Sequence, residues 1–426
     1  MTSIVKQRIE QIRRGEVPQG YKKAKFGVVP SEWEITKLSS ISSHVTKKNT
    51  DGNIQTTFTN SATQGVIKQT DYFDKEISNR ENITGYYVVQ ENDYIYNPRI
   101  SASAPCGPIN KSHFVDEGVV SPLYTVFKMT NDLQKNQYIE YYLKSPFWHR
   151  YMCGVANYGA RHDRMNITND DLFAMPVPLP PLAEQKKIAE ILSAQDKLIA
   201  LKEKLIEEKK RQKKALMQQL LTGKKRLPGC SGEWKKQKMS DILSERKEEN
   251  KDQTLRICSV AVNSGVVDQR EHLGKSMAAS DTSNYNVVHY GDIVYTKSPT
   301  GAFPYGIVKQ SQLTENVAVS PLYGVYEPTS YEIGYLLNEY FMYPNNANRY
   351  LLPIINKGAK NTINISNSMF ITPSLYLPTD FEEIKKLAQI FKAANKEIEI
   401  LQKELYQEKQ KKKALMQLLL TGIVRV

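Results

Sequence analysis

Residues Lys213–Gly223 read KKALMQQLLTG and residues Lys412–Gly422 read KKALMQLLLTG, ten identities in eleven at a separation of 199 positions. An internal repeat constrains a fold more tightly than any composition, because what one copy builds the other must build too. The period is far too long for a solenoid unit and has the size of a domain. The expected architecture is a tandem duplication of one module.

The same shift aligns residues upstream. Asp93 and Tyr96 fall on Asp292 and Tyr295, and Pro105 and Gly107 on Pro304 and Gly306. Val120-Ser121-Pro122-Leu123-Tyr124 falls on Val319-Ser320-Pro321-Leu322-Tyr323, Tyr141 on Tyr340, and Asn157, Gly159 and Ala160 on Asn356, Gly358 and Ala359. At an offset of 201, Glu32-Trp33 lands on Glu233-Trp234. Scaffold residues agree, whereas the polar stretches between them diverge, as in Thr56–Gln69 against Arg256–Asp268 and Arg99–Ala104 against Ser298–Phe303. A duplicated scaffold with divergent polar loops implies two related binding surfaces for two different targets.

A chain of 426 residues can hold two or three domains with their own cores. Its 58 Lys plus Arg outweigh 45 Asp plus Glu, for a net charge of +13 and a pI near 9.2, a balance that favours a polyanion such as nucleic acid. The four cysteines, Cys106, Cys153, Cys230 and Cys258, show no metal or disulfide spacing, so reduced thiols are expected. The opening MTSIVKQRIEQIRRG is charged, without the apolar stretch of a leader, and no apolar run approaches the roughly 18 residues of a membrane span. A soluble cytoplasmic protein with no membrane partner is expected.

Each copy runs from a globular part into a helical part. Tyr86-Tyr87-Val88-Val89, Asp93–Tyr96 and Val119–Phe127 read as short strands separated by Gly, Pro and Asn turns, and Gln137–Tyr151 as a helix broken near Pro146. The second copy repeats this with Val287-Val288, Asp292–Tyr295, Val317–Tyr326 and a helix near Ile333–Phe341. The prolines of Pro176–Pro181 form a stiff connector, and Pro181 can open the next helix. Leu182–Thr222 contains no Gly or Pro, and Gly223 supplies the stop. The second long helix starts at Pro378–Glu382, where Thr379 and Glu382 fit a capping box, and stops at Gly422. Forty helical residues span about 60 Å, more than one such domain can cover, so the two helices are expected to pair as an antiparallel coiled coil holding a globule at each end. Ile188, Ile191, Leu198, Leu201 and Leu205 give one apolar stripe, and Leu387, Ile390, Ile398, Leu401 and Leu405 the other.

Three segments carry a family resemblance: PLPPLAEQKKIAEIL at Pro178–Leu192, the helix ending KKALMQQLLTG, and GYKKAKFGVVPSEW at Gly20–Trp33. Together they resemble the specificity subunit of Type I restriction–modification systems over nearly the full length. The second copy departs from the pattern at Leu377–Glu383, which lacks the second Pro and the Glu-Gln pair. The resemblance implies an α+β fold with a pseudo-twofold internal repeat: two tandem mixed α/β target-recognition domains separated by the two long helices. The implied boundaries are an N-terminal extension at 1–30, domains at 31–180 and 224–378, and spacer helices at 181–223 and 379–426. It further implies that each domain reads one part of a split, asymmetric double-stranded DNA sequence. The helices would dock two adenine methyltransferase (modification) subunits, and restriction subunits can join. S-adenosylmethionine, ATP and magnesium would then belong to those partners.

The residues themselves offer little for catalysis. Asn97-Pro98-Arg99-Ile100 lacks the second Pro and the aromatic that an amino-methyltransferase needs to hold its target amine. Leu273-Gly274-Lys275-Ser276 has Gln269 where a phosphate loop needs its first Gly. Asp380, Glu383 and Lys385 read as a solvated helix start, and the six histidines show no ligand spacing. No catalytic, metal or cofactor residue is expected.

Sequence reading of DNA needs forks and amides that match base edges. Arg99, Arg161, His162 and Arg164 supply them in the first copy, and Lys297, Lys360 and Asn361 in equivalent loops of the second. The abundant tyrosines at matched positions are expected in the core, and Lys209–Lys214 and Lys224–Arg226 on solvated faces. A coiled-coil scaffold whose globules bind protein is the alternative.

Overall fold

The strand Tyr94–Tyr96 is buried at every position, although its side chains alternate between two faces. Tyr94 and Tyr96 enter one apolar cluster with Phe127, Met129 and Tyr138, while Ile95 enters another with Phe58, Val89, Val120 and Val126. A sheet covered on both faces accounts for strands that read as unbroken apolar runs.

The computed structural model describes residues 3–72, 80–156, 164–274, 278–357 and 363–426. The chain divides into two compact units, residues 1–201 with 405–426, and residues 202–404. In the first unit β1 (Ser42–His44), β2 (Phe58–Ser61), β3 (Gly65–Lys68), β4 (Tyr94–Tyr96), β5 (Ile109–Lys111) and β6 (Thr125–Met129) build a four-stranded antiparallel sheet of order β1-β6-β4-β5 with a β2-β3 hairpin. In the second unit β7 (Leu243–Glu245), β8 (Cys258–Ala261), β9 (Gly265–Asp268), β10 (Ile293–Thr296), β11 (Ile307–Gln310) and β12 (Gly324–Pro328) repeat it as β7-β12-β10-β11 with a β8-β9 hairpin. The duplication therefore extends to topology and register: Ser61 faces Gly65, and Ala261 faces Gly265.

The helix broken near Pro146 appears as α1 (Gln137–Lys144) and α2 (His149–Val155), with Tyr138 and Tyr142 wholly buried. Of the tyrosines matched between copies, Tyr96 and Tyr295 are core residues, whereas Tyr124, Tyr141, Tyr323 and Tyr340 are half-buried; Tyr94 and Tyr326 are also buried. The first 30 residues form a helix (Ser3–Arg13) and a hairpin of Tyr21–Ala24 with Gly27–Pro30. All four cysteines carry free thiols.

The long helices are α3 (Leu182–Leu220) and α5 (Phe381–Leu419), with α4 (Tyr331–Phe341) between them in sequence. Each long helix has 39 residues, about 58 Å at 1.5 Å per residue. Both end alike. Gly223 and Gly422 adopt φ of 69° and 68°, and the amides of Lys225 and Val424 return to the carbonyls of Gln219 and Leu418 at 3.0 Å. A Cβ on Gly422 would lie 2.4 Å from Pro30 and 2.9 Å from Trp33, and one on Gly223 3.2 Å from Trp234. The repeated Leu-Thr-Gly thus closes on the repeated tryptophan in each unit, which explains why both motifs recur.

The helices pair antiparallel within each unit. In the first, Gln195 Nε2 donates to Glu408 at 2.8 Å and Lys412 meets Asp196 at 2.5 Å. In the second, Lys202 meets Glu404 and Lys209 meets Glu397, both at 2.6 Å. The seam is not the expected apolar stripe of α3. Leu198, Leu201 and Leu205 are 37%, 64% and 42% exposed. The inward positions instead follow a strict heptad spacing of 4 and 3: Ile188, Leu192, Gln195, Ile199, Lys202, Ile206, Lys209 and Lys213. Polar members hold this register because their long side chains reach carboxylates.

Two further expectations are corrected. Thr379 does not cap α5: its N–H and hydroxyl both go to the Glu233 carbonyl, at 3.1 and 2.8 Å, which ties it to the neighbouring strand. Asp380 takes the cap by accepting from the Glu382 amide at 3.0 Å. Nor are Lys213, Arg226 and Glu383 solvated. Lys213 is buried against Glu339, and Arg226 grips the buried Glu383 with Nε at 2.8 Å and Nη2 at 2.7 Å. That fork recurs at the matched positions of the first unit, where Arg425 holds the buried Glu184 at 2.6 and 2.8 Å.

Candidate nucleic-acid interface

In the first unit Arg99 sits on the loop that leaves β4. Its backbone forms an antiparallel bridge with Arg164, and the Met165 amide donates to Pro98 O at 3.0 Å. Two arginines 65 positions apart in sequence thereby occupy facing sites. Arg161 and His162 lie outside the described residues. The loop is closed by paired backbone bonds between Ser101 and Ala104, and Gly107 packs so tightly that a Cβ there would meet Asn97 O at 2.1 Å. Gly107 has φ of 76°, so glycine is required at this turn.

Beneath the loop lies a buried amide network. Asn97 Oδ1 accepts from the Arg99 amide at 3.0 Å, and its Nδ2 donates to Asn60 O at 3.0 Å and to Tyr124 Oη at 3.3 Å. Asn60 Nδ2 donates to Ile95 O at 2.6 Å, and Asn110 Nδ2 to Asn60 Oδ1 at 2.7 Å. Asn60 and Asn97, the former braced by Asn110, floor a concavity of about 540 Å³ between the β2-β3 hairpin and the Arg99 loop. Thr59, Gln69 and Tyr72 form one wall; Arg99, Ser101 and Ser103 form the other. No acidic residue is among the described residues that line it. The surface offers amides, hydroxyls and one guanidinium, groups suited to base edges and phosphate oxygens.

The second unit is built differently at the same place. Lys297 follows β10 and is half-buried, and burial lowers its pKa while Glu245 opposes the shift. It projects less freely than Arg99. Thr300 and Phe303 repeat the backbone closure of Ser101 and Ala104. Lys360 and Asn361 lie outside the described residues, in the segment between the paired strands Asn356–Lys357 and Ile363–Asn364.

Sequence reasoning marked Thr56–Gln69 as a divergent polar stretch but did not single out Gln69 or Tyr72, because they join Arg99 only through the tertiary fold. The available signal was the mismatch between copies at a matched register, with Asn60 against Val260 and Asn97 against Thr296.

Residues 30–211 match the family model described as the Type I restriction modification DNA specificity domain. That stretch is similar to a type I restriction–modification specificity domain. A curated relative from Methanocaldococcus jannaschii, named "Putative type I restriction enzyme MjaX specificity subunit", is 27% identical over 212 residues, 48% of this chain and 49% of that protein. The chain thus spans about half the length of the curated relative it matches. Among solved structures, the type I restriction–modification S subunit from M. genitalium is 15% identical with a TM-score of 0.51, covering 91% of this chain and 96% of that one. A chain from work on complex assembly and conformational transition of the type I system is 12% identical with a TM-score of 0.54, covering 93% and 99%. These two likenesses show that the fold is shared with those chains.

Proposed function

We propose that this chain is the DNA-recognition subunit of a type I restriction–modification complex, that it has no active site of its own, and that each unit reads one half of a split, asymmetric sequence. The observation that carries this reading is the repetition of one topology, down to strand register, around polar surfaces that differ. A duplicated scaffold suits two half-sites; divergent loops suit two sequences. The specificity domain matched at residues 30–211 supports the same conclusion.

In this reading the long helices set the distance between half-sites and offer their exposed face, including Leu198 and Leu201, to two adenine methyltransferase subunits. S-adenosylmethionine would serve those subunits, while ATP and magnesium would serve restriction subunits where present. No helix among the described residues is long and apolar enough to cross a membrane. This reading places its work on DNA in the cytoplasm.

Binding of the chain, assembled with its methyltransferase subunits, to long duplex DNA at several salt concentrations tests the reading. Affinity should fall steeply with salt, and one split sequence should remain bound when bulk duplex is released. A complex that binds no DNA at low salt would favour the protein-binding scaffold.

A further inference from the structure

We propose that the concavity between the β2-β3 hairpin and the Arg99 loop is the base-reading site of the first unit, with Gln69 and Arg99 as specificity-determining residues and Asn97 as the residue that positions Arg99. The inference rests on the DNA-recognition reading and names the part of the surface that does the reading.

Four observations converge. First, an open cup of about 540 Å³ is walled by amides, hydroxyls and one guanidinium, with no acidic residue among its described lining. A surface that approaches phosphates must exclude carboxylates, and one that reads base edges must present directional donors and acceptors. Second, the floor is pre-organised. Asn60, Asn97 and Asn110 are all buried and bonded to one another or to backbone, so the loop that bears Arg99 is fixed before any ligand arrives. Third, the chemistry of the walls is suited to sequence reading. Arginine makes a bidentate match to guanine and glutamine to adenine in the major groove.

The fourth observation comes from the copy that differs. The hairpin register places Val260 and Ala261 where the first unit has Asn60 and Ser61. Thr296 and Ser298 stand where it has Asn97 and Arg99, and Lys309 where it has Asn110. The amide floor is therefore specific to the first unit. One element is nevertheless kept: Thr296 Oγ1 accepts from the Ser298 amide at 3.2 Å, just as Asn97 Oδ1 accepts from the Arg99 amide at 3.0 Å. In both units a side chain caps the amide two residues after it. What changes is the residue so fixed, an arginine in one unit and a serine in the other.

The test uses the full chain assembled with its methyltransferase subunits, with methylated positions in genomic DNA read by sequencing. Gln69→Ala and Arg99→Ala should each relax one or two base positions in a single half-site, lowering discrimination there by about ten- to a hundred-fold. The other half-site and the spacer should stay unchanged. Asn97→Ala should relax the same position as Arg99→Ala, and Asn97→Thr should restore it, since threonine provides the cap in the second unit. Gln69→Ala and Arg99→Ala alter half-buried or exposed side chains, so they carry the test even if Asn97→Ala unfolds. The proposal is overturned if the variants keep every position of the motif, if they lose affinity uniformly with a shallower salt dependence, or if they change both half-sites. A wild-type complex that shows no split motif would instead overturn the DNA-recognition reading. A split motif that survives all the variants would overturn the base-reading site alone.

Discussion

Arg425 donates through Nε and Nη2 to Glu184 at 2.6 and 2.8 Å, bridging 241 positions of sequence within one unit. Glu184 is buried and also accepts the Trp33 indole N–H at 3.0 Å. In the other unit Arg226 makes the same fork with Glu383 and lies over the Trp234 ring at 5.9 Å. A buried carboxylate that loses its guanidinium keeps the desolvation penalty without the compensation. Arg425→Ala should therefore speed amide exchange at the end of α5 and in the hairpin Tyr21–Pro30, and Arg226→Ala should speed it at the start of α5. Hydrogen exchange by mass spectrometry would show this. Unchanged protection at these segments would mean that the forks do not anchor the helices.

Lys213 and Glu339 form the most deeply buried ion pair among the described residues, 2.6 Å apart with side chains 7% and 1% exposed. Asn395 Nδ2 adds a bond to Glu339 at 2.8 Å. Lys213→Met alone should cost about 3–5 kcal/mol in chemical denaturation of the second unit, since it strands a buried carboxylate. The double change Lys213→Met with Glu339→Leu should recover most of the loss. Equal loss in the single and double variants would contradict this account.

Matched aspartates should respond in opposite senses. Asp292 accepts from the His289 amide at 2.8 Å and from Arg246 at 2.7 and 3.1 Å. Asp93 keeps only the equivalent amide bond, from Gln90 at 2.8 Å, and burial raises its pKa. For a carboxyl raised in the fold, the native state holds its proton longer than the unfolded chain. Its contribution is thus complete at acid pH and declines as pH climbs from the unfolded value through the folded one. Asp93→Asn should remove that decline and leave the first unit as stable or more stable at pH 7. Asp292→Asn should destabilise the second unit by leaving Arg246 underpaired. Denaturation curves at several pH values test both.

The heptad seam sets a rule for changing helix length. Seven residues added to both α3 and α5 near their middles keep the register and lengthen each helix by about 10 Å, equal to about three base pairs at 3.4 Å each. The spacer of the modified sequence should grow by about that amount. Four residues, one helical turn, would rotate the seam out of register, so that variant should lose assembly rather than gain spacer. Sequencing of methylated DNA distinguishes the outcomes, and an unchanged spacer after the seven-residue insertions would refute the ruler.

Much of the fold was legible because it depended on local signals. The absence of Gly and Pro between Leu182 and Thr222 defined α3 to within two residues, and Pro146 broke the helix where expected. The helix seam was not legible from apolar residues alone. Gln195, Lys202, Lys209 and Lys213 occupy inward positions, and their role depends on carboxylates on another helix or domain. The candidate interface was half legible. Arg99 and Arg164 stood out as cations in divergent loops, whereas Gln69 and Tyr72 became visible only once the hairpin had folded over the Asn97 network.

The central claim, two independent readers on one duplicated scaffold, is tested most directly by exchanging residues 31–180 for the corresponding unit of a related chain and mapping methylated DNA in cells that hold the partner subunits. The account predicts a new sequence in one half-site, with the other half-site and the spacer retained. A change in both halves, or in neither, would contradict it.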